Sequence, residues 1–180
     1  MKLLILYGPP ASGKFTISSF IAAQTGYKLF HNHLTVPVAR ALFPASHEPH
    51  HSEAYSNLLK QLRLDVIKTA AAEDISLIFT LAYSGAVDDP FIADIVEAVE
   101  HEHGQICFVQ LSAPNNVLME RVINPSRRQL AKMTEPEHLK QVLKTRDVHA
   151  TVKYPSVLHI STAELSANQA CTRIIEHYRL

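Results

Sequence analysis

Neither sign of charge is in excess in this chain: 17 Lys and Arg residues stand against 17 Asp and Glu. Such a balance carries no global field to draw the protein onto nucleic acid or an anionic membrane, so any anion site has to be local. Cysteine is nearly absent. Cys107 and Cys171 lack both a CxxC and a Cys/His metal spacing, which excludes a disulfide scaffold and predicts two inert thiols in a reducing compartment. Long apolar runs are missing too. The stretch from Met1 to Leu6 stops at Tyr7-Gly8-Pro9, short of the roughly 7 to 15 apolar residues of a signal peptide, and reads as a strand. No segment approaches the about 18 residues of a membrane span, so a soluble, cytoplasmic protein without membrane contact is expected.

What is present reads as one folded domain over residues 1–180, since 47% hydrophobic and 19% charged residues leave no stretch of disordered composition. Short apolar runs of strand type lie at Lys2–Tyr7, Tyr27–His31, Ile75–Thr80, Gln105–Leu111 and Val157–Ile160. Helical periodicity fills Phe15–Thr25, Ser52–Glu73, Pro90–His103 and Asn168–Tyr178. Strands apolar on both faces and alternating with helices predict an α/β fold in three layers around a five-stranded parallel sheet. Asp88-Asp89-Pro90 supplies an N-cap and an N1 proline to the third helix. Two segments fall outside that scheme: the proline-broken loop Phe43–Ser52, and the Arg-, Lys- and Pro-rich Asn124–Pro136.

The most specific string is Gly8-Pro9-Pro10-Ala11-Ser12-Gly13-Lys14, a GxxxxGK between a strand and a helix. Glycines at both ends let backbone N–H groups wrap phosphate oxygens, the helix N-terminus adds its positive end, and Lys14 reaches the terminal phosphates. The usual Ser/Thr after the lysine is replaced by Phe15, with Thr16 one place later. The order Gly13-Lys14-Phe15-Thr16 resembles the loop of the nucleoside monophosphate kinases, and that resemblance implies a phosphate contact for Thr16, with magnesium held mostly by phosphates and water. The run Ile75–Thr80 ends without the acid that motor and switch ATPases carry, which disfavours a mechanical ATPase.

This loop, and the order of parts around it, resembles the P-loop small-molecule kinases: shikimate kinase, gluconate kinase and the nucleoside monophosphate kinases, whose loop also reads Gly-Lys-x-Thr. The chain is most similar to shikimate-kinase-like bacterial ATPases with Gly-Pro-Pro-Ala-x-Gly-Lys and an Asn-His-Leu after the second strand. The resemblance implies a P-loop NTPase fold, ATP and Mg2+, an acceptor region after strand two and an arginine-bearing lid near 121–136. It implies nucleotide contacts from Gly8, Pro10, Ala11, Ser12, Gly13, Lys14, Phe15 and Thr16. Arg121 would stack on the adenine, Arg127 or Arg128 would reach the transferred phosphate, and Thr162 sits in a turn resembling the adenine-contacting one. The bland alternative for the lid is a solvated basic helix start.

Where shikimate kinases carry Asp-x-Asp, this chain has His31-Asn32-His33. A neutral imidazole accepts a proton near pH 7 but does not replace a carboxylate beside magnesium. His33 is then a base or substrate contact, or His31 and His33 are a metal pair wanting a third ligand, or both fill polar space. His31 and Asn32 join the acceptor region as substrate-binding candidates. Arg40 and Arg63 suit an anionic acceptor or the surface equally, and Tyr83, before Gly85, is an acceptor-pocket residue or a plain loop aromatic. His47, His50 and His51 read as a pocket rim or as metal ligands, and His101 and His103 as helix-end residues. The expectation is an ATP-dependent kinase with a small-molecule acceptor, working as a monomer or homodimer. The competing expectation is a nucleotide-binding sensor that transfers nothing.

Overall fold

The computed structural model describes residues 1–43, 52–130 and 132–180, without the side chains of 128–130. Most of the Phe43–Ser52 loop, with His47, His50 and His51, lies outside the described residues, as does the side chain of Arg128.

Five strands, β1 (Lys2–Tyr7), β2 (Lys28–His31), β3 (Leu77–Leu81), β4 (Gln105–Ser112) and β5 (Val157–Ser161), pair in parallel in the order β2-β3-β1-β4-β5. β1 is central, with Ile5 opposite Phe79 on one side and Phe108 on the other. Its side chains alternate between two cores, because successive residues of a strand point to opposite faces. Leu3, Ile5 and Tyr7 pack with α3 (Glu53–Ala72) and α4 (Asp89–His101) through Ile67, Ile92 and Ile95. Leu4 and Leu6 pack with α1 (Lys14–Thr25) and α7 (Ala167–Tyr178) through Ile17, Ile21 and Ile174. All five of these β1 side chains are fully buried, and each such aliphatic burial is worth about 1.5–3 kcal/mol.

Three helices beyond the sequence reading complete the chain: α2 (Val36–Leu42), α5 (Asn115–Val122) and α6 (Pro136–Thr145). The stretch expected to form a lid runs from the end of α5 through a 3-10 turn at Pro125–Leu130 to the start of α6. A third apolar cluster, Leu118, Val122 and Leu139 against Ala11 and Ala113, packs α5 and α6 onto the loop after β1. At α4, Asp88 occupies the N-cap position but its carboxylate turns back to accept from the Ser84 N–H at 2.8 Å. Both cysteines are buried and unbridged, and among the described residues no helix is long and apolar enough to cross a membrane.

Candidate nucleotide and acceptor site

The turn from β1 into α1 is shaped by backbone demands before any ligand is considered. Gly8 has φ +136°, and a Cβ there would lie 2.2 Å from the carbonyl oxygen of Leu111 in β4. Gly8 is therefore the place where the loop leaves the sheet against its neighbour's backbone. Gly13 is the N-cap of α1 at φ 89°, with no side chain capping the helix. α7, by contrast, closes its first turn with a Ser166/Gln169 capping box. The first amides of α1 thus stay available to an anion.

A cavity of about 520 Å³ opens over this turn, lined by the loop from Pro10 to Ile17 and by residues following β2, β3 and β5. That volume is in the range of small-ligand sites. Its charged lining groups are Lys14, Arg121, Arg127, Lys132 and Arg146, and no Asp or Glu lines it among the described residues. Lys14 donates to the carbonyls of Gly8 and Pro9 at 2.7 and 2.8 Å. Burial, then the charges of Arg127 and Lys132, push its ammonium pKa down to about 7. Burial and Arg127 bring Lys132 down to about 8. A cluster of cations without a counter-charge is built for a polyanion.

The geometry fits phosphates better than it fits a protein-held metal. Ser12 is fully buried, and its hydroxyl, which lines the cavity, has no hydrogen-bond partner. Thr16 is exposed at the cavity wall. Among the described residues, the side-chain oxygen donors lining the cavity are hydroxyls and the amides of Asn32 and Asn124, whereas a divalent cation prefers carboxylates. Among the described residues no three His, Cys, Asp or Glu side chains are grouped to hold a metal, so the His31/His33 pair gains no third ligand there.

The sequence-singled residues divide in space. His33 and Asn32 line the cavity just past β2. Burial, then Lys132, His31, Arg63 and Lys14, push the His33 pKa down to about 4, so its imidazole is neutral at pH 7. His31 stands behind them, its ring edge-on to Phe15 at 5.1 Å between centroids and its Nδ1 buried without a partner. Arg63 does not line the cavity: its guanidinium donates to Thr35 Oγ1 and the Asn32 carbonyl, both at 3.1 Å, and braces the turn that carries His33. Arg40 is exposed on α2 and does not line the cavity. Tyr83 is 1% exposed, packs edge-on against Tyr7 and donates its hydroxyl to Asp89, while Ala82 and Ser84 line the cavity instead.

On the other side, Arg121 donates to Thr162 Oγ1 and to the Thr162 carbonyl, at 3.0 and 2.8 Å, and both residues line the cavity. Arg127 lines it too, its Nε donating to the Met133 carbonyl at 2.8 Å. Sequence reasoning missed Thr80, Lys132 and Arg146 as lining residues. Thr80 ends the run whose missing acid was noted, and Lys132 ends the basic stretch, so both had a signal. Arg146, after α6, had none.

No protein-family model matches the chain, and no curated protein matches it in sequence. Solved structures do. A Chloroflexus aurantiacus protein named as an inferred kinase aligns over 99% of this chain and 96% of its own, at 20% identity and TM-score 0.75. A gluconokinase from Sinorhizobium meliloti aligns over 99% and 95%, at 15% identity and TM-score 0.62. A shikimate kinase from Acinetobacter baumannii, solved with shikimate, aligns over 98% and 92%, at 18% identity and TM-score 0.57. The five-stranded parallel sheet with its strand-loop-helix cradle is the α/β fold of the P-loop small-molecule kinases.

Proposed function

We propose that this chain is an ATP-dependent kinase that transfers the terminal phosphoryl group to a small-molecule hydroxyl or phosphate. The observation that carries the reading is the cavity itself: a glycine-bounded loop at a helix N-terminus, faced by five cationic side chains and no carboxylate among the described residues.

In that reading Lys14 exchanges its two carbonyl partners for phosphate oxygens, with the loop amides around them. Thr16 and Ser12 supply hydroxyl contacts; magnesium, when bound, would be held mostly by the phosphates and water and would supply charge to offset theirs. Arg121 and Thr162 bound the adenine end, and Arg127, with Arg128 beside it in sequence, belongs to a lid that excludes water. The acceptor, between His33 and Ser84, has its oxygen attack the terminal phosphorus. A new O–P bond forms, the bond to the bridging oxygen breaks, and ADP leaves. The acceptor proton passes to His33, whose basicity the incoming phosphates raise by offsetting the cations around it.

The test is ADP release by the purified chain with ATP and magnesium, across sugars, nucleosides, nucleotides and shikimate. Acceptor-dependent turnover, lowered in His33→Ala with ATP affinity kept, is the expected result. Tight ATP binding with no acceptor-dependent turnover would instead favour the sensor reading, which the acid-free cavity also accommodates.

A further inference from the structure

Phe15 stands where a GxxxxGK loop usually places a hydroxyl, and the structure gives its ring a definite occupation. The Lys132 ammonium lies over the ring, 4.1 Å from the centroid. The His31 ring meets the same ring edge-on, at 86° between planes. A cation over an aromatic face is attracted by the ring quadrupole, more strongly when both are partly removed from water, as Phe15 and Lys132 are here.

The backbone prepares this contact. The Lys132 N–H donates to the Arg127 carbonyl at 3.1 Å, and Arg127 Nε returns a bond to the Met133 carbonyl, so Lys132 and Met133 are both tied to Arg127. Lys132 is thereby delivered onto the ring and into the cavity that holds Lys14, Arg127 and His33. Its charge reaches both Lys14 and His33, lowering the proton affinity of each. It lies within electrostatic range of the loop lysine on one side and the acceptor region on the other. Repulsion from Lys14 and Arg127 would drive an unanchored ammonium out to solvent. A Ser or Thr at position 15 offers an oxygen but no π-face.

We propose that Phe15 is a positioning residue: its ring holds the Lys132 ammonium over the phosphate loop, so that Lys132 binds the terminal phosphate of the nucleotide alongside Lys14. The inference rests on reading the Gly8–Lys14 loop as a phosphate site and assigns the charge opposite it to a lysine rather than to a hydroxyl-held metal.

Fluorescent ATP and ADP analogues, titrated with magnesium onto the full chain, test it. Phe15→Leu keeps the bulk and loses the ring; the expected result is ATP affinity about fivefold weaker with ADP affinity nearly kept. Phe15→Tyr recovers most of the loss. Lys132→Met weakens ATP by at least as much, and Phe15→Leu combined with Lys132→Met is no worse than Lys132→Met alone, since the two act through one contact. Wild-type ATP affinity in Phe15→Leu, equal losses for ATP and ADP, or multiplying losses in the double variant each overturn the proposal. Circular dichroism melting checks the fold, and Phe15→Met replaces Phe15→Leu if the latter does not fold. Lys14→Ala separates the two levels of argument: if it leaves ATP binding intact, the phosphate-site reading falls; if it abolishes binding while Phe15→Leu and Lys132→Met do nothing, the Lys132 assignment alone falls.

Discussion

Arg121 and Thr162, 41 positions apart in sequence, are joined by two hydrogen bonds from one guanidinium: one to the threonine hydroxyl and one to its carbonyl. The same hydroxyl donates onward to the Ser112 carbonyl at 3.1 Å, and the Thr162 N–H bonds that carbonyl at 2.8 Å. The end of α5 is thus tied to the turn after β5 and, through it, to β4. Arg121→Ala is expected to cost about 1–2 kcal/mol in urea unfolding and to weaken nucleotide binding as well. Arg121→Lys restores little, because an ammonium lacks the planar fork.

The two glycines of the loop give a sharper contrast. Gly8→Ala forces a methyl against the Leu111 carbonyl, whereas a methyl at Gly13 meets only the Ile17 Cδ1 at 3.8 Å. Gly8→Ala should therefore cost about 3 kcal/mol or more, and Gly13→Ala only the left-handed backbone penalty of about 1–2 kcal/mol. Equal midpoints in a urea series would contradict the close approach of loop and β4.

The lowered pKa values of Lys14 and Lys132, about 7 and about 8, set a pH dependence with two opposite signs. In the nucleotide-free protein the unfolded chain binds more protons than the folded one above about pH 7. Stability from these groups therefore rises with pH through that region toward the ordinary lysine range. Phosphate binding favours the charged ammonium, so affinity is fullest below about pH 7 and falls as pH rises through 7 to 8. Calorimetry at pH 8 in two buffers of different ionisation enthalpy should show proton uptake on binding.

Tyr83 separates packing from recognition. Its hydroxyl and Lys153 Nζ both donate to Asp89, the latter at 3.0 Å. Hydrogen bonds to Tyr83 and Lys153 hold the Asp89 carboxyl below its usual range. Tyr83→Phe is expected to lose about 1 kcal/mol of stability and to leave nucleotide affinity and acceptor KM as they were. A raised acceptor KM would return Tyr83 to the site.

The sheet was legible because its strands are short apolar runs with no competing period; β1 is read to the residue, and β5 ends one position later than expected. The loop was legible because its glycines answer a local backbone demand. What escaped lies in short elements and long-range pairings. α5 has eight residues and Pro114 rather than a polar cap at its start, and α6 begins inside a stretch read as irregular. Arg63 and Tyr83 are site candidates by place in the sequence, and what sequence does not record is that Arg63 Nε and Nη2 bond Thr35 Oγ1 and the Asn32 carbonyl and that the Tyr83 hydroxyl bonds Asp89. The partnership of Phe15 with Lys132 spans 117 positions, which no local pattern records.

Because every strand runs the same way, β1, β2, β3 and β5 all deliver their following turns to one edge, and each contributes a different part of the cavity wall. The side chains that fill the two cores come mainly from the strands and from the inward faces of α1, α3, α4 and α7, while most of those facing the cavity sit past the strand ends; Ile17, Leu165 and Ala167 take part in both. In the proposed function, maintenance of the scaffold and choice of acceptor therefore fall to nearly separate sets of positions. A chain so divided could, on that proposal, exchange the turn after β2 or β3, and with it the molecule recognised, while the Gly8–Lys14 loop and the foundations stay as they are.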